Sequence, residues 1–290
     1  MVQNRSFEFT KLASDNEKHA WNNVGDVTAN VVKDDKTGCL NANNPNYMVI
    51  ENKSDEEAGI ANKGFLDGMS IKKNAGYDFS IYAKGIDGYT GSLNVKIMNG
   101  KEVAGSGTIE KVTNDWKKYE LKLDSNVTSN RNVKLQVTIP KGKIAVDMVS
   151  LFPQDTYKER KNGLRKDLAQ KLEELHPEFL RFPGGCVVEG ATIETRYNWK
   201  DSIGADASGQ PFEFNGTYGD VAARKQGQNI WTDEWATNDQ NPSFMTYGLG
   251  FYEYFQLAED IGAIGVPVIN CGKCCMGQSN GNGPALDSAE

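Results

Sequence analysis

Residues 179–190 carry the most specific chemical signal in this sequence. The apolar segment Phe179–Phe182 ends in a Pro-Gly-Gly sequence, and Cys186 follows it. Glycine has no side chain to obstruct a ligand, so a loop of this kind can bring its backbone close to a bound molecule. In barrel enzymes the loops that follow the strands hold the catalytic and ligand-binding residues. The pattern therefore predicts a strand and a binding loop of a barrel enzyme.

The elements around this loop follow α/β order. Four leucines, at positions 164, 168, 172 and 175, recur at helical spacing just before the strand. A second helix is predicted from Phe251 to Ile261, with a strand at Val266–Asn270 after it. Helix followed by strand, twice, is typical of an α/β domain. The segment 189–248 between them is rich in Gly, Asn and aromatic residues, which predicts a folded, functional loop.

The preceding part of the chain, residues 9–153, has a different pattern. Apolar and polar residues alternate in short segments separated by turn signals such as Asn99-Gly100. The predicted strands include Tyr77–Ala83, Leu93–Met98, Trp116–Leu123, Val133–Ile139 and Ile144–Leu151. Short strands at this spacing, without helical stretches, predict a β-sandwich or jelly roll.

Composition excludes several classes of partner. The net charge of −7 and the scattered basic residues argue against nucleic acid, which requires clustered lysine and arginine. No apolar run approaches the roughly eighteen residues of a membrane span. The five cysteines are too few and too irregular for a disulfide framework. Cys271 and Cys274 form a C-x-x-C motif, but both histidines are distant in sequence, so no metal site is predicted.

Several motifs, in this order along the chain, resemble the catalytic domain of family 51 glycoside hydrolases, the α-L-arabinofuranosidases. They are Asn162–Leu168, Phe179–Gly190, Tyr197–Gly204, Gly248–Phe255 and Glu259–Ala263. The resemblance implies a multidomain α/β and all-β fold: a partial (β/α)8 TIM barrel with an inserted carbohydrate-binding-like β-sandwich. Residues 1–8 would follow the first barrel strand, residues 9–153 would form the sandwich and residues 154–290 the partial barrel.

The resemblance also implies an activity, which is hydrolysis of terminal α-L-arabinofuranosyl groups with retention of configuration. Such hydrolysis needs two carboxyl groups about 5 Å apart. No predicted strand ends in the Asn-Glu of the family's acid/base, and the context of its nucleophile is missing as well. Both catalytic glutamates are therefore expected beyond residue 290. The chain is expected to be a fragment that does not hydrolyse glycosides alone, and the family needs no cofactor or metal.

Three residues are substrate-binding candidates. Arg181 lies among apolar neighbours, where a buried guanidinium needs acceptors; it would orient a carboxylate or loop, or form a structural ion pair. Cys186 would contact the sugar, or it would be a buried thiol. Asn270 ends the second strand and would point towards the active-site end. Glu189 and Glu194 lie outside the family's catalytic motifs and are expected to bond within the loop.

A second hypothesis keeps sugar binding but not catalysis: a carbohydrate-binding protein with a degenerate barrel remnant. In the sandwich the rings that could stack on a sugar are those of Trp21, Tyr47, Tyr89 and Trp116. A third possibility is that the barrel part is only an assembly surface, since two strands leave an unpaired edge. Under the first two hypotheses the partner is an arabinose-containing polysaccharide or oligosaccharide. Degraders of plant polysaccharide are commonly exported, which favours a periplasmic or secreted location.

Overall fold

A computed structural model describes residues 1–9, 18–33, 35–66, 68–190, 196–203, 224 and 247–272. The chain divides into two compact units, Met1–Asp155 and Thr156–Glu290. None of the helices in these ranges has the length and apolar character needed to cross a membrane.

The first unit consists of antiparallel strands in two sheets. One sheet has the order β1-β4-β10-β7-β8, with β5 also paired to β10, and the other has the order β2-β3-β11-β6-β9. The strands are β1 Trp21–Val24, β2 Thr28–Val32, β3 Tyr47–Asn52, β4 Ala58–Asn62, β5 Met69–Ile71, β6 Gly76–Gly85, β7 Leu93–Asn99, β8 Glu102–Ile109, β9 Lys117–Asp124, β10 Ser129–Ile139 and β11 Gly142–Pro153. The predicted sandwich-like arrangement of short strands is confirmed.

Alternation along the strands builds the core of this unit. In β6, Tyr77, Phe79, Ile81 and Ala83 are buried in one apolar cluster, while the side chains between them face away. Because successive side chains of a strand point to opposite faces, this alternation gives each sheet one apolar face. The cluster includes residues of both sheets, so the two apolar faces cover each other.

A bulge in β11 changes which residues face that core. Ile144 and Val146 belong to the cluster before the bulge, and Val149 and Leu151 belong to it afterwards. The pairing register with β6 shifts between Asp147 and Ser150, and Met148 has a positive φ of 48°. The extra residue turns the strand by one side-chain position, as a β-bulge does. It also leaves the Asp147 carboxyl fully buried.

Residues 1–9 pack within the first unit. The Arg5 carbonyl accepts a hydrogen bond from the Val149 amide at 2.9 Å, and the Asn4 carbonyl accepts one from Trp21 Nε1 at 2.9 Å. Phe7 is completely buried. The segment predicted to follow a barrel strand thus lies with the sandwich, and its assignment to a barrel stays a prediction.

The second unit contains a parallel strand pair, four described α-helices and one short 3-10 helix, Tyr157–Glu159. β12 (Phe179–Phe182) pairs in register with β13 (Ile264–Pro267), Phe179 opposite Ile264. The helices are α1 Lys166–Glu174, α2 Cys186–Glu189, α3 Trp199–Ile203 and α4 Phe251–Asp260. The first strand has the predicted bounds, but β13 begins two residues earlier than predicted and ends before Asn270. The Val268 amide still donates to the Phe182 carbonyl at 2.7 Å, but Gly184, the next residue in line to bond β13, leaves the extended conformation with a φ of +123°.

The two faces of this strand pair differ in burial. Phe182 is buried and packs on Tyr254 and Phe255 of α4, with ring centroids 4.9 and 5.0 Å away. The opposite face, formed by Phe179, Arg181, Ile264 and Val266, is exposed. The predicted apolar face of α1 is exposed as well, since Leu168, Leu172 and Leu175 are all exposed. In the described part of the chain, these apolar surfaces are left uncovered.

Candidate functional site

The carboxyl ends of β12 and β13 meet at one edge of the parallel pair. Beyond β12 the chain turns at Gly184, whose φ of +123° is a conformation that favours glycine. A Cβ placed on Gly184 or on Gly185 meets no atom of the described residues within 4 Å. The predicted binding loop therefore borders open space, as a loop that approaches a ligand requires.

Cys186 begins α2 directly after this turn, and its side chain is exposed. The alternative of a buried thiol is therefore wrong. The reason is local: both glycines before Cys186 lack side chains, so nothing from the turn covers it. The structure thus places Cys186 beside the open space, where a ligand could contact it.

Asn270 connects the two loops at this edge. Its Nδ2 donates to the Val188 carbonyl of α2 at 2.9 Å, and its Oδ1 accepts from the Gly272 amide at 2.6 Å. The Val188 carbonyl also accepts from the Tyr197 amide at 3.1 Å. Asn270 therefore holds the loop after β13 against the loop after β12. Contact between Asn270 and a sugar stays a prediction.

Arg181 differs from its expected environment. The sequence predicts a buried guanidinium, but the side chain is exposed. Its strand neighbours Leu180 and Phe182 lie on the face that packs against other residues of the unit, whereas Arg181 lies on the uncovered face. Among the described residues it forms no ion pair. Burial of Arg181 was therefore a wrong expectation, and its role in substrate binding stays a prediction.

The remaining candidate groups contribute little to this site. Glu189 is half-buried at the end of α2, while Glu194 lies outside the described residues. Cys271 is exposed, and Cys274 and Cys275 again fall outside the described ranges. Within those ranges no three His, Cys, Asp or Glu side chains are grouped as metal ligands.

An aromatic cluster packs behind the site, and no pattern in the sequence indicates it. Phe182 packs edge-on against Phe251 at 5.6 Å, and Phe251 stacks on Tyr197 at 5.9 Å and on Trp199 at 5.9 Å. Tyr247 packs edge-on against Tyr197 at 5.3 Å. Burial raises the pKa of both tyrosine hydroxyls well above the ordinary value. These rings come from distant segments, which periodicity within one element cannot bring together.

A buried ion pair lies beside this cluster. Arg224 and Glu253 are both 0% exposed, and their side chains pair through two hydrogen bonds of 2.8 and 2.9 Å. Glu253 Oε2 also accepts from the Gly250 amide at 2.7 Å. Glutamate three residues after the N-cap is a known helix-start signal, so Glu253 could have been recognised from the sequence. Arg224 had no comparable signal.

The four candidate rings of the first unit differ in accessibility. Trp21 and Tyr47 are 3% and 7% exposed, so neither can stack on a sugar as they stand. Tyr89 and Trp116 are half-buried. The Trp116 Nε1 donates to the Gly38 carbonyl at 3.0 Å, and Lys84 Nζ lies 5.0 Å from the centroid of the same ring. Trp116 is thus held firmly while part of it remains accessible.

Comparison with known proteins gives a consistent result. Residues 171–289 match the family model described as the alpha-L-arabinofuranosidase 1 domain. The extracellular exo-α-L-arabinofuranosidase of Streptomyces chartreusis is 36% identical over 284 residues, covering 93% of this chain and 30% of that protein. The α-L-arabinofuranosidase 2 of Arabidopsis thaliana is 33% identical over 282 residues, covering 94% of this chain and 38% of its own length.

The fold comparison agrees with the sequence comparison. An arabinose-bound α-L-arabinofuranosidase, MgGH51, has a TM-score of 0.79 and 25% identity, covering 99% of this chain and 42% of that structure. The chain therefore spans less than half the length of each of these relatives.

Proposed function

Since this chain corresponds in sequence and fold to a part of the family 51 α-L-arabinofuranosidases, as its motifs predicted, we propose that its second unit forms part of their arabinose-binding end. The observation that carries the proposal is the parallel pairing of β12 with β13. It brings the open Gly184-Gly185 turn and Asn270 to one edge, where the Asn270–Val188 hydrogen bond of 2.9 Å joins them. Active sites of α/β barrels lie at this end of the strands.

The exposed face of the strand pair supports a barrel context. In a (β/α)8 barrel, helices cover the outside of the strands while alternate side chains fill the interior. Here α4 packs on the Phe182 side, which corresponds to the outside. Phe179, Ile264 and Val266 would then point into the interior, which accounts for their apolar character. We propose that β12 and β13 are two strands of such a barrel.

The candidate residues have distinct proposed roles. Cys186 contacts the bound sugar beside the glycine turn. Arg181 lies on the face that becomes the barrel interior and orients a carboxylate there. Asn270 holds the two loops together, and one edge of its side-chain amide faces the ligand. Retention of configuration needs two carboxyl groups about 5 Å apart, and we assign neither to the described residues. The chain alone is therefore proposed to bind arabinose and not to hydrolyse arabinofuranosides.

The proposal is tested by titrating the chain with L-arabinose in a calorimeter and by assaying it on an aryl α-L-arabinofuranoside. We expect saturable binding that weakens about tenfold in Cys186→Trp, because the indole fills the space beside the turn. Lys122→Ala, on an exposed face of the first unit, is the matched control and keeps full affinity. Absence of binding by the unmodified chain would overturn the proposal. Turnover of the aryl arabinofuranoside by the chain would overturn the proposal that the chain alone does not hydrolyse arabinofuranosides.

A second candidate function is polysaccharide binding by the first unit, favoured by the half-buried, anchored ring of Trp116. Tyr47 packs edge-on against this ring at 5.7 Å, and the Tyr47 hydroxyl donates to Asp35 Oδ2 at 2.8 Å. A ring fixed in this way loses little entropy when it stacks on a ligand. Arabinoxylan titrations followed by tryptophan fluorescence test the idea. We expect a saturable change that Trp116→Ala abolishes, and an unchanged signal in the unmodified chain would contradict it.

A further inference from the structure

The Arg224–Glu253 ion pair lies outside the proposed sugar site, yet it connects several parts of the second unit. Arg224 Nη1 bonds both Glu253 Oε2 and the Tyr247 carbonyl, each at 2.8 Å. Glu253 in turn accepts the Gly250 amide at the start of α4. Residue 224, residue 247 and the first turn of α4 are therefore fixed to one another by a single pair of charges.

A third segment joins at the same helix end. The Ser202 hydroxyl accepts the Phe251 amide at 3.1 Å and donates to the Trp199 carbonyl at 2.7 Å. A Cβ on Gly250 would lie 2.1 Å from the Ser202 carbonyl oxygen and 3.0 Å from Arg224 Nη1. Glycine at 250 thus permits α3, Arg224 and α4 to approach this closely.

From this junction, direct contacts lead to the glycine turn. Phe251 packs on Phe182, the last residue of β12, and stacks on Tyr197. The Tyr197 amide bonds the Val188 carbonyl, two residues after Cys186. A change in where α4 begins would therefore move both Phe182 and Val188, which stand on either side of the Gly184–Cys186 turn.

Stability alone is a poor explanation for such a pair. Burying two charges costs several kcal/mol, and well-packed apolar side chains often stabilise a fold equally well. What a bidentate pair supplies is a single geometry, because the planar guanidinium matches a carboxylate in one orientation. We propose that Arg224 and Glu253 are positioning residues that set the Gly184–Cys186 turn for sugar binding. This inference rests on the proposed function of that turn.

The test replaces both charges by apolar side chains of similar volume. The Arg224→Met/Glu253→Met double variant removes both charges of the pair together, so the second unit is expected to stay folded by circular dichroism. Two further measurements are made on the same protein. One is the Kd for L-arabinose, and the other is the alkylation rate of Cys186 by iodoacetamide, resolved by mass spectrometry with Cys39 as the internal reference.

We expect the double variant to bind L-arabinose about tenfold more weakly and to alkylate at Cys186 at a rate changed about threefold, with Cys39 unaffected. A folded double variant with unchanged affinity and unchanged Cys186 reactivity would overturn the inference. Arg224→Lys, which keeps the charge but not the bidentate geometry, should give intermediate values. Loss of secondary structure in both variants would equally overturn it, because the pair would then serve folding itself.

The inference and the proposed function fail in different ways. If the unmodified chain does not bind L-arabinose, the proposed function is wrong. The alkylation measurement still reports whether the ion pair sets the geometry of the turn. If the unmodified chain binds L-arabinose and the variants behave like it in both measurements, only the positioning role is wrong.

Discussion

The two units of this chain bury their apolar surface in different ways. In the first unit two sheets cover each other, and residues such as Phe79 and Leu135 are completely buried. In the second unit the strand pair has one covered face, while Phe179 on the other face is 59% exposed. The unit with the closed core carries the second candidate site, at Trp116. The unit proposed to bind arabinose is the one whose apolar surface is incompletely covered by the described residues.

Two phenylalanines provide the strongest test of this contrast. Phe79→Ala leaves a cavity in the closed core and should lower the free energy of unfolding of the first unit by about 3–5 kcal/mol. Phe179→Ala removes an exposed ring and should change stability by less than about 0.5 kcal/mol. Urea denaturation monitored by circular dichroism measures both. A large loss in Phe179→Ala would mean that its face is covered in solution, and the contrast would be wrong.

Ion pairs give a smaller difference between the units. Asp260 at the end of α4 is nearly buried, and its Oδ2 accepts from Arg160 Nε at 2.6 Å. Asp260→Asn should lower the stability of the second unit by about 1–3 kcal/mol, since a charged hydrogen bond is lost. The matched control, Asp55→Asn, removes an exposed partner of Lys141 and should have no measurable effect. Equal effects of the two substitutions in thermal denaturation would show that burial of Asp260 is unimportant.

The first unit should also show a pH dependence from Asp147. Burial raises the pKa of this carboxyl well above its usual value, and among the described residues its Oδ2 accepts no hydrogen bond. A raised folded-state pKa means that the folded state binds the proton more tightly. Stability should therefore fall as pH rises from about 4 through the raised pKa.

Asp147→Asn should remove this slope. The amide oxygen can still accept the Met148 amide, as the Asp147 Oδ1 does at 2.7 Å. Melting temperatures of the two proteins between pH 4 and pH 8 make the comparison. If both fall in parallel across that range, Asp147 is not the group responsible.

The smallest expected effect is at Asp35, where stability should rise with pH instead of falling. Hydrogen bonds from Thr37, Tyr47 and Gly38 lower the pKa of its carboxyl to about 2. The stabilisation is present above the unfolded pKa near 4 and is lost as pH falls towards 2. Asp35→Asn should therefore be slightly less stable than the parent at pH 7, and the difference should shrink as pH falls towards 2. A constant difference at both pH values in thermal denaturation would contradict this.

The sequence predicted regular elements well where one element contains its own signal. The strands Leu93–Asn99 and Phe179–Phe182 could be found because alternation and turn residues are local. The helix α1 was predicted from its leucines, but not their exposure, because an amphipathic pattern indicates a face and not what covers it. Burial of Arg181 was wrongly expected for the same reason.

The candidate site was only partly predictable. Its glycine turn and Cys186 follow from a motif, and Glu253 follows from its position at a helix start. The hydrogen bond from Asn270 to Val188, the stacking of Tyr197 on Phe251 and the partner role of Arg224 join residues far apart in the chain. Such pairs depend on tertiary geometry, which hydrophobic periodicity does not encode.

The open space beside Gly185 makes this position suitable for measuring how closely a bound sugar approaches the backbone. An added methyl group would meet no atom of the described residues within 4 Å, while the φ of −77° and ψ of −96° at this position lie outside the regions that residues with a Cβ prefer. Alanine and serine at this position share the same backbone cost and would therefore extend, step by step, into the space beside the turn. The side-chain size at which affinity for L-arabinose is lost would give the distance between the backbone and the sugar ring without a structure of the complex.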